Sequence, residues 1–191
     1  MNTTFTAVAE NIKNRRTVKP GTMNGNKVPN GEIAALLELA NWAPTHALTE
    51  PWRFVVYERP LEFNAVHAQL YKQNTAEENF NEAQYSGLSQ TGAKASHAII
   101  VYMHREETTK IPVFEEIAAT ACAIQNIMLG AAALNIGTFW STGGMTLKPA
   151  MKEYLQLGDL DQVMGVLYLG YTDVQPEGRR KVPLDEKISW K

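Results

Sequence analysis

The sequence is poor in cysteine. Its 191 residues contain one, Cys122, so no intrachain disulfide can form, which suits a reducing compartment such as the cytoplasm. Cys122 lies in an apolar stretch without the electropositive setting that activates a thiol, and is expected to be a buried structural residue. Charge of one sign is lacking too: 18 Lys and Arg stand against 20 Asp and Glu, a net charge of -2. Nothing global therefore points to nucleic acid or to an anionic membrane surface. The N-terminus MNTTFTAVAENIKNRR lacks the long apolar core of a secretory signal. Repeats and low-complexity tracts are absent. The histidines at 46, 67, 97 and 104 have neither H-x-x-x-H nor H-E-x-x-H spacing, which argues against a metal site. Apart from His46, they are expected on the surface or in loops. No G-x-S-x-G is present, and Ser141 beside Gly143 and Gly144 does not make a nucleophile elbow. Without G-x-G-x-x-G after a strand or G-x-x-x-x-G-K-[ST], neither a Rossmann nor a P-loop nucleotide site is indicated.

What is present suits one domain spanning residues 1–191. Hydrophobic residues make up 45% and charged residues 20%, in line with a globular chain that buries a sizeable core. The chain is organised around residues 117–144. Its first part, IAATACAIQNIMLGAAAL, is rich in helix formers and apolar on nearly every side. Such a helix is expected to be buried all round. It is long enough for a membrane span. Its internal Gln125-Asn126 pair, its Ala content and the preceding Glu115-Glu116 favour a core or interface helix instead. Ala118, Ala121, Ala131 and Ala132 would permit close helix–helix approach. Asn135 and Gly137 mark its end, Thr138–Ser141 reads as a short buried strand, and Thr142-Gly143-Gly144 as a loop open to close backbone approach.

The remaining elements follow from pattern. Thr4–Asn14 reads as a helix with Thr4 as cap and Phe5, Val8 and Ile12 on one face. Arg15–Lys19 is extended, because Pro20 keeps Lys19 out of helical geometry. A helix over Gly31–Asn41 carries Ile33, Leu36, Leu37 and Ala40, with Asn30 as cap. Trp52–Tyr57, Ala98–Met103 and Val163–Tyr171 read as strands. Residues 61–90 are expected to be mostly helical, with a mobile surface segment at Lys72–Asn81. Thr146 is expected to cap a helix over Lys148–Leu155. The tail from Thr172 carries Val182, Leu184, Ile188 and Trp190, which need an apolar partner. The whole pattern is α+β.

Two basic clusters remain, Lys13-Arg15-Arg16-Lys19 and Arg179-Arg180-Lys181. They lie at opposite ends of a near-neutral chain and could meet on one small anion. Arg, Lys and the Thr17 hydroxyl together suit a phosphate or an electron-rich ring edge.

The order of segments resembles the nitroreductase family of FMN-dependent oxidoreductases, in particular its short single-domain members. Four pieces carry the resemblance: Arg15-Arg16-Thr17-Val18-Lys19; Ala43-Pro44-Thr45-His46 with Glu50-Pro51-Trp52-Arg53-Phe54; the Ala-rich helix leading into Gly137–Ser141; and Gly165–Tyr171, followed by basic residues and Val182–Glu186. They span Asn11 to Trp190. The resemblance implies a nitroreductase-like fold, a central and mostly antiparallel sheet flanked by helices. It also implies a homodimer with two FMN sites at the interface and a C-terminal tail extending onto the partner subunit. By position, Arg15, Arg16, Thr17 and Lys19 would contact FMN. Arg179 and Lys181 would hold its phosphate. Pro44, Thr45 and His46 would come from the partner subunit, and Phe139, Trp140 and Ser141 would lie along the ring, with backbone contacts from Thr142 and Gly143. The implied activity is ping-pong reduction of electron-poor acceptors such as nitroaromatics or quinones, with NADH or NADPH as donor and no protein nucleophile. Another flavin-dependent reduction on this fold, ene reduction or dehalogenation, and a non-catalytic flavin-binding protein are the alternatives. Two positions depart from the family pattern: Glu50 stands where Gln is usual, and Leu48 where a polar residue is common.

Overall fold

The computed structural model describes residues 2–107 and 110–191. It begins with α1 (Thr3–Asn14), whose cap is Asn2. The Asn2 side chain accepts the Thr4 backbone N–H at 2.8 Å, so Thr4 is the capped residue and not the cap. α2 (Asn30–Asn41) follows, with Asn30 as its first helical residue and Ile33, Leu36 and Ala40 buried. β1 (Trp52–Tyr57), α3 (Pro60–Gln73), α4 (Glu82–Gln90) and β2 (His97–Met103) come next. Residues Lys72–Asn81 are tied down: Phe80 stacks on Tyr71 with ring centroids 5.6 Å apart, and the Asn81 N–H donates to the Tyr71 hydroxyl. The second half is α5 (Val113–Ala133), β3 (Gly137–Ser141), α6 (Pro149–Tyr154) and β4 (Gln162–Gly170). Thr146 does not cap α6. Lys148 precedes that helix without a side-chain cap, and the buried Thr146 hydroxyl has no hydrogen-bond partner.

The four strands form one antiparallel sheet in the order β1-β2-β4-β3. Arg15–Lys19 extends it outward, Thr17 bridging Thr138 in parallel and the Val18 N–H donating to the Thr138 carbonyl at 2.9 Å. Gly137 is needed there, because a Cβ would meet the Val18 side chain at 2.9 Å. One core cluster joins α2 and α5 to the sheet through Leu36, Ile124, Ile127, Ile99 and Leu167. A second lies on the other face, where Phe63 of α3 and Met151 of α6 meet Ile100, Val166 and Tyr168. The result is a sheet between two helical layers, the arrangement that lets its apolar strands be covered on both faces.

α5 is long and apolar enough to cross a membrane by length and composition, yet Ala119, Ala123, Ile124, Ile127 and Ala131 pack into the core. It is not buried all round. Ala118, Ala121, Cys122, Gln125 and Leu129 are only half-buried, because the sheet can cover one side of a helix and no more. α1 buries no residue, and Phe5, Val8 and Ile12 remain exposed. The tail is exposed as well, with Trp190 90% accessible. α5 ends at Ala133, and Asn135, just past the Leu134 cap, has φ of 57°, the left-handed geometry that stops a helix.

Gly165 of β4 has φ of 145°, and the Trp140 indole lies over it, donating Nε1–H to the Met164 carbonyl at 2.9 Å. A Cβ at 165 would collide with that indole and with the Ser141 carbonyl. Gly165→Ala should therefore cost about 3 kcal/mol of stability, strain and overpacking combined. Urea denaturation measures it, and a loss below about 1 kcal/mol contradicts the assigned role of Gly165.

Candidate functional site

The two basic clusters come together. The Arg16 guanidinium packs under Gly178, where any Cβ would strike it. Arg15 lies close enough to Arg16 and Arg180 to feel both charges: partial burial first, then these two neighbours, push its pKa down. Arg16 donates Nη1–H to the carbonyls of Lys13 and Arg15, but its Nε is buried with no partner. Among the described residues none of these three arginines forms an ion pair. Guanidinium groups packed together without a carboxylate, one with an orphaned N–H, make a place for an anion with several acceptor oxygens. A cavity of about 310 Å³ adjoins them, lined by Arg15, Arg16, Gly137, Thr138, Asp173 and Gln175 among others. Asp173 is engaged by Asn24, which donates Nδ2–H to it at 3.1 Å.

Thr17 and Lys19 are exposed on the same extended segment, on either side of buried Val18. It is Arg180 that acts on Arg15; Arg179 and Lys181 are exposed along the tail. Phe139, Trp140 and Ser141 are half-buried in β3, next to the basic segment. Beyond Ser141 the chain leaves the sheet. Thr142, Gly143 and Gly144 are exposed residues, and among the described residues no acceptor meets their N–H groups. A row of free donors at the end of β3 suits the polar edge of a heterocycle.

Pro44, Thr45 and His46 are not brought to this place. Their loop precedes β1, at the opposite sheet edge from β3. It docks on the first turn of α5, where His46 Nδ1 meets Glu115 at 2.6 Å. The cavity beside Arg15 reaches Ala132 at the far end of α5. At 1.5 Å per residue these two points on the helix are about 25 Å apart. One chain cannot apply both to one small ligand. The loop is also strained: Ala47, Leu48 and Glu50 all have positive φ, at 49°, 56° and 42°, a conformation costly for residues with a Cβ. The Glu50 N–H donates to Thr45 Oγ1, and its carbonyl accepts from Arg53.

The sequence model of the Nitroreductase family matches residues 12–171. The chain belongs to the nitroreductase family. YfhC of Bacillus subtilis, provisionally named as an NAD(P)H nitroreductase, is 25% identical over 93% of this chain and 91% of its own length. YdjA of Escherichia coli K12, named in the same way, is 26% identical over 81% and 84%. A nitroreductase-like protein from Bacillus cereus superposes with a TM-score of 0.85 at 30% identity, covering 100% of this chain and 99% of its own. A nitroreductase-family structure from Desulfovibrio desulfuricans, solved in complex with FMN, shares the fold with a TM-score of 0.72 at 20% identity over 96% of both chains. The nitroreductase fold of this chain is thus the α+β, antiparallel arrangement expected from its sequence.

Two histidines differ from expectation. His97 and His67 are buried. His97 Nδ1 lies 2.9 Å from Ser96 Oγ and its Nε2 lies 3.0 Å from Asn30. This Ser-His-Asn arrangement is closed off from any substrate and ties β2 to α2. His67 accepts the Met145 backbone N–H on Nε2 at 2.7 Å. Periodicity on α3 was the available signal for its burial: His67 follows Phe63 by four residues, on the same apolar face.

Burial pushes the His67 pKa down to about 4. Below the unfolded value of 6.5 the unfolded chain binds a proton that the folded one refuses until about pH 4, so stability falls as pH drops through that window. The loss approaches roughly 3 kcal/mol at its full extent and about 2 kcal/mol at pH 5. Urea unfolding at pH 7 and pH 5 should show it, and His67→Leu should flatten the slope. His97, shifted down by burial and Lys27, leaves a residue of it. Equal slopes in both proteins contradict the assignment.

Proposed function

We propose that this nitroreductase-family chain is an FMN-dependent NAD(P)H oxidoreductase that acts as a homodimer on small electron-poor acceptors such as nitroaromatics and quinones. The observation that carries the reading is the convergence of Arg16 and Arg180 on Arg15, together with an unpartnered Arg16 Nε. It fits the phosphate of FMN in charge, donor geometry and position beside β3. FMN, when bound, supplies hydride transfer from NADH or NADPH to the acceptor. The chain's own residues hold and align it. Arg15 and Arg16, with Arg179 and Lys181 from the tail, would grip the phosphate end. Thr17 and Lys19 face outward from the extended segment, where a hydroxyl and a cation could reach the ribityl chain and the pyrimidine side of the ring. A cation there favours the negative charge of reduced flavin. Phe139, Trp140 and Ser141 would line the ring, and the free amides of Thr142 and Gly143 would meet its polar edge. Binding and alignment suffice for hydride transfer, so no protein nucleophile is required.

The second copy is part of the same proposal. Pro44, Thr45 and His46 would reach the ring from the partner subunit, which accounts for their distance from the rest of the site in one chain. The open faces of α1 and α5 and the apolar tail residues would meet across the interface. The absence of disulfide chemistry fits a cytoplasmic enzyme.

The first test is the visible absorption spectrum of FMN-loaded protein, before and after anaerobic addition of NADPH or NADH. Bleaching of the flavin bands is expected; a spectrum that stays unchanged with both donors refutes the reductase reading. Arg16→Ala should weaken FMN binding about 10- to 100-fold, the cost of losing charge-assisted bonds. Light scattering should give a dimer, and Val8→Glu with Ile12→Glu should yield monomers that bind FMN poorly. A tight FMN complex in those monomers would contradict a shared site.

A further inference from the structure

A buried histidine that takes no part in the flavin contacts proposed above stands directly behind the row of free amides. His67 is 4% exposed, on α3, with its ring 5.3 Å from that of Phe63. Its Nε2 accepts the Met145 N–H. A backbone N–H can only donate, so Nε2 carries the lone pair and Nδ1 the proton. Gly144, one residue earlier, has φ of +62° and rests against the same ring. A Cβ there would stand 2.7 Å from His67 Nε2 and 2.7 Å from Leu88 of α4. α3 and α4 thus press on the turn from behind. Beside it, between the turn and these same two helices, lies a cavity of about 470 Å³, lined by Gly144, Met145, Tyr71, Gln84, Lys148 and Glu153 among others. The turn is closed by the Thr146 N–H to the Gly143 carbonyl and the Lys148 N–H to the Met145 carbonyl, with Met145 buried against Tyr71 and Ala150. The Thr146 hydroxyl is buried without a partner, and among the described residues the His67 bond is the side-chain hydrogen bond that reaches this segment from another element.

We propose that His67 is a positioning residue of the flavin site: by accepting the Met145 N–H it sets where the Thr142–Gly144 amides stand and which way they point. The assignment rests on the flavin reading given above. It adds that α3, which supplies none of the residues of the basic cluster, controls the ring end of the site. A neutral acceptor is required at this position. An apolar side chain would leave the Met145 N–H buried without a partner, and the turn would shift to find one.

The test uses the full chain and two variants. His67→Gln keeps an amide oxygen near the place of Nε2, and His67→Leu fills the space without an acceptor. Three quantities are read: hydrogen exchange at the Met145 amide in the cofactor-free protein, the FMN dissociation constant, and the visible band shape of bound FMN. His67→Leu should speed Met145 exchange and weaken FMN binding, each about tenfold, the cost of one buried hydrogen bond, and should alter the band shape. His67→Gln should restore all three to within about twofold of wild type. A folded His67→Leu protein with wild-type FMN affinity and spectrum overturns the proposal, as does a folded His67→Gln protein that recovers nothing. Should His67→Leu fail to fold, His67→Asn, whose shorter amide stops short of Met145, carries the same expectations. Wild-type protein that binds no FMN is a different outcome, which refutes the flavin reading and this assignment together.

Discussion

A single sheet covers one side of a helix, and α5 is apolar on nearly all sides. Most of the molecule follows from that mismatch. Ile124 and Ile127 pack into the core and are fully buried, while Ala121 and Leu129 are left half-buried outside it. Small residues on that outer side let another backbone come close. α1 lies beside α5, Asn11 donating Nδ2–H to the Leu129 carbonyl, yet it buries none of its own residues. Phe5, Val8 and Ile12 on α1 stay exposed, as do Leu184 and Trp190 of the tail; exposed apolar residues gathered on one helix face mark a surface for interaction.

The same helix separates the chemistry. At its first turn it holds the His46 loop through Glu115, and near its last turn it borders the arginine cluster. Rigid α5 keeps these apart by most of its length. The buried Arg105–Glu116 pair strengthens the arrangement: Arg105 also donates to the Ile111 carbonyl and so fixes the entry into α5. Further along the helix Asn126 donates Nδ2–H to the Leu39 carbonyl of α2, and the rest is left to packing.

Much of this was legible in the sequence, and the reasons differ by element. The strands at Trp52, His97 and Gln162 are dense in β-branched and aromatic residues, and α5 is too long and too apolar to be anything else. The extended Arg15–Lys19 segment followed from Pro20. The meeting of the basic clusters was foreseeable only as a possibility, because parallel pairing of Thr17 with Thr138 is a tertiary event with no local signature. The cap at Asn2 was missed since Thr3 and Thr4 offer equal local chemistry, and only the backbone path selects between them. His67 and His97 depart from a surface placement because their partners, the Met145 N–H and Asn30, lie 78 and 67 residues away; the four-residue step from Phe63 to His67 is the one local sign of burial. Asp161 shows the same limit: it accepts from His104, from the Arg105 N–H and from the Gly158 N–H, a knot that no motif announces.

The loop before β1 inverts the usual rules of substitution. At Ala47, Leu48 and Glu50 the backbone already sits in left-handed geometry, where a Cβ costs about 1 kcal/mol at each position. Glycine, which weakens most ordered segments, would relax this one. A lineage selected for the stability of the isolated chain would drift toward Gly or Asn at these three sites. This chain carries Ala, Leu and Glu there instead, so the loop holds its shape against a standing backbone strain, and a single Gly at any of the three positions is a route to a more stable chain.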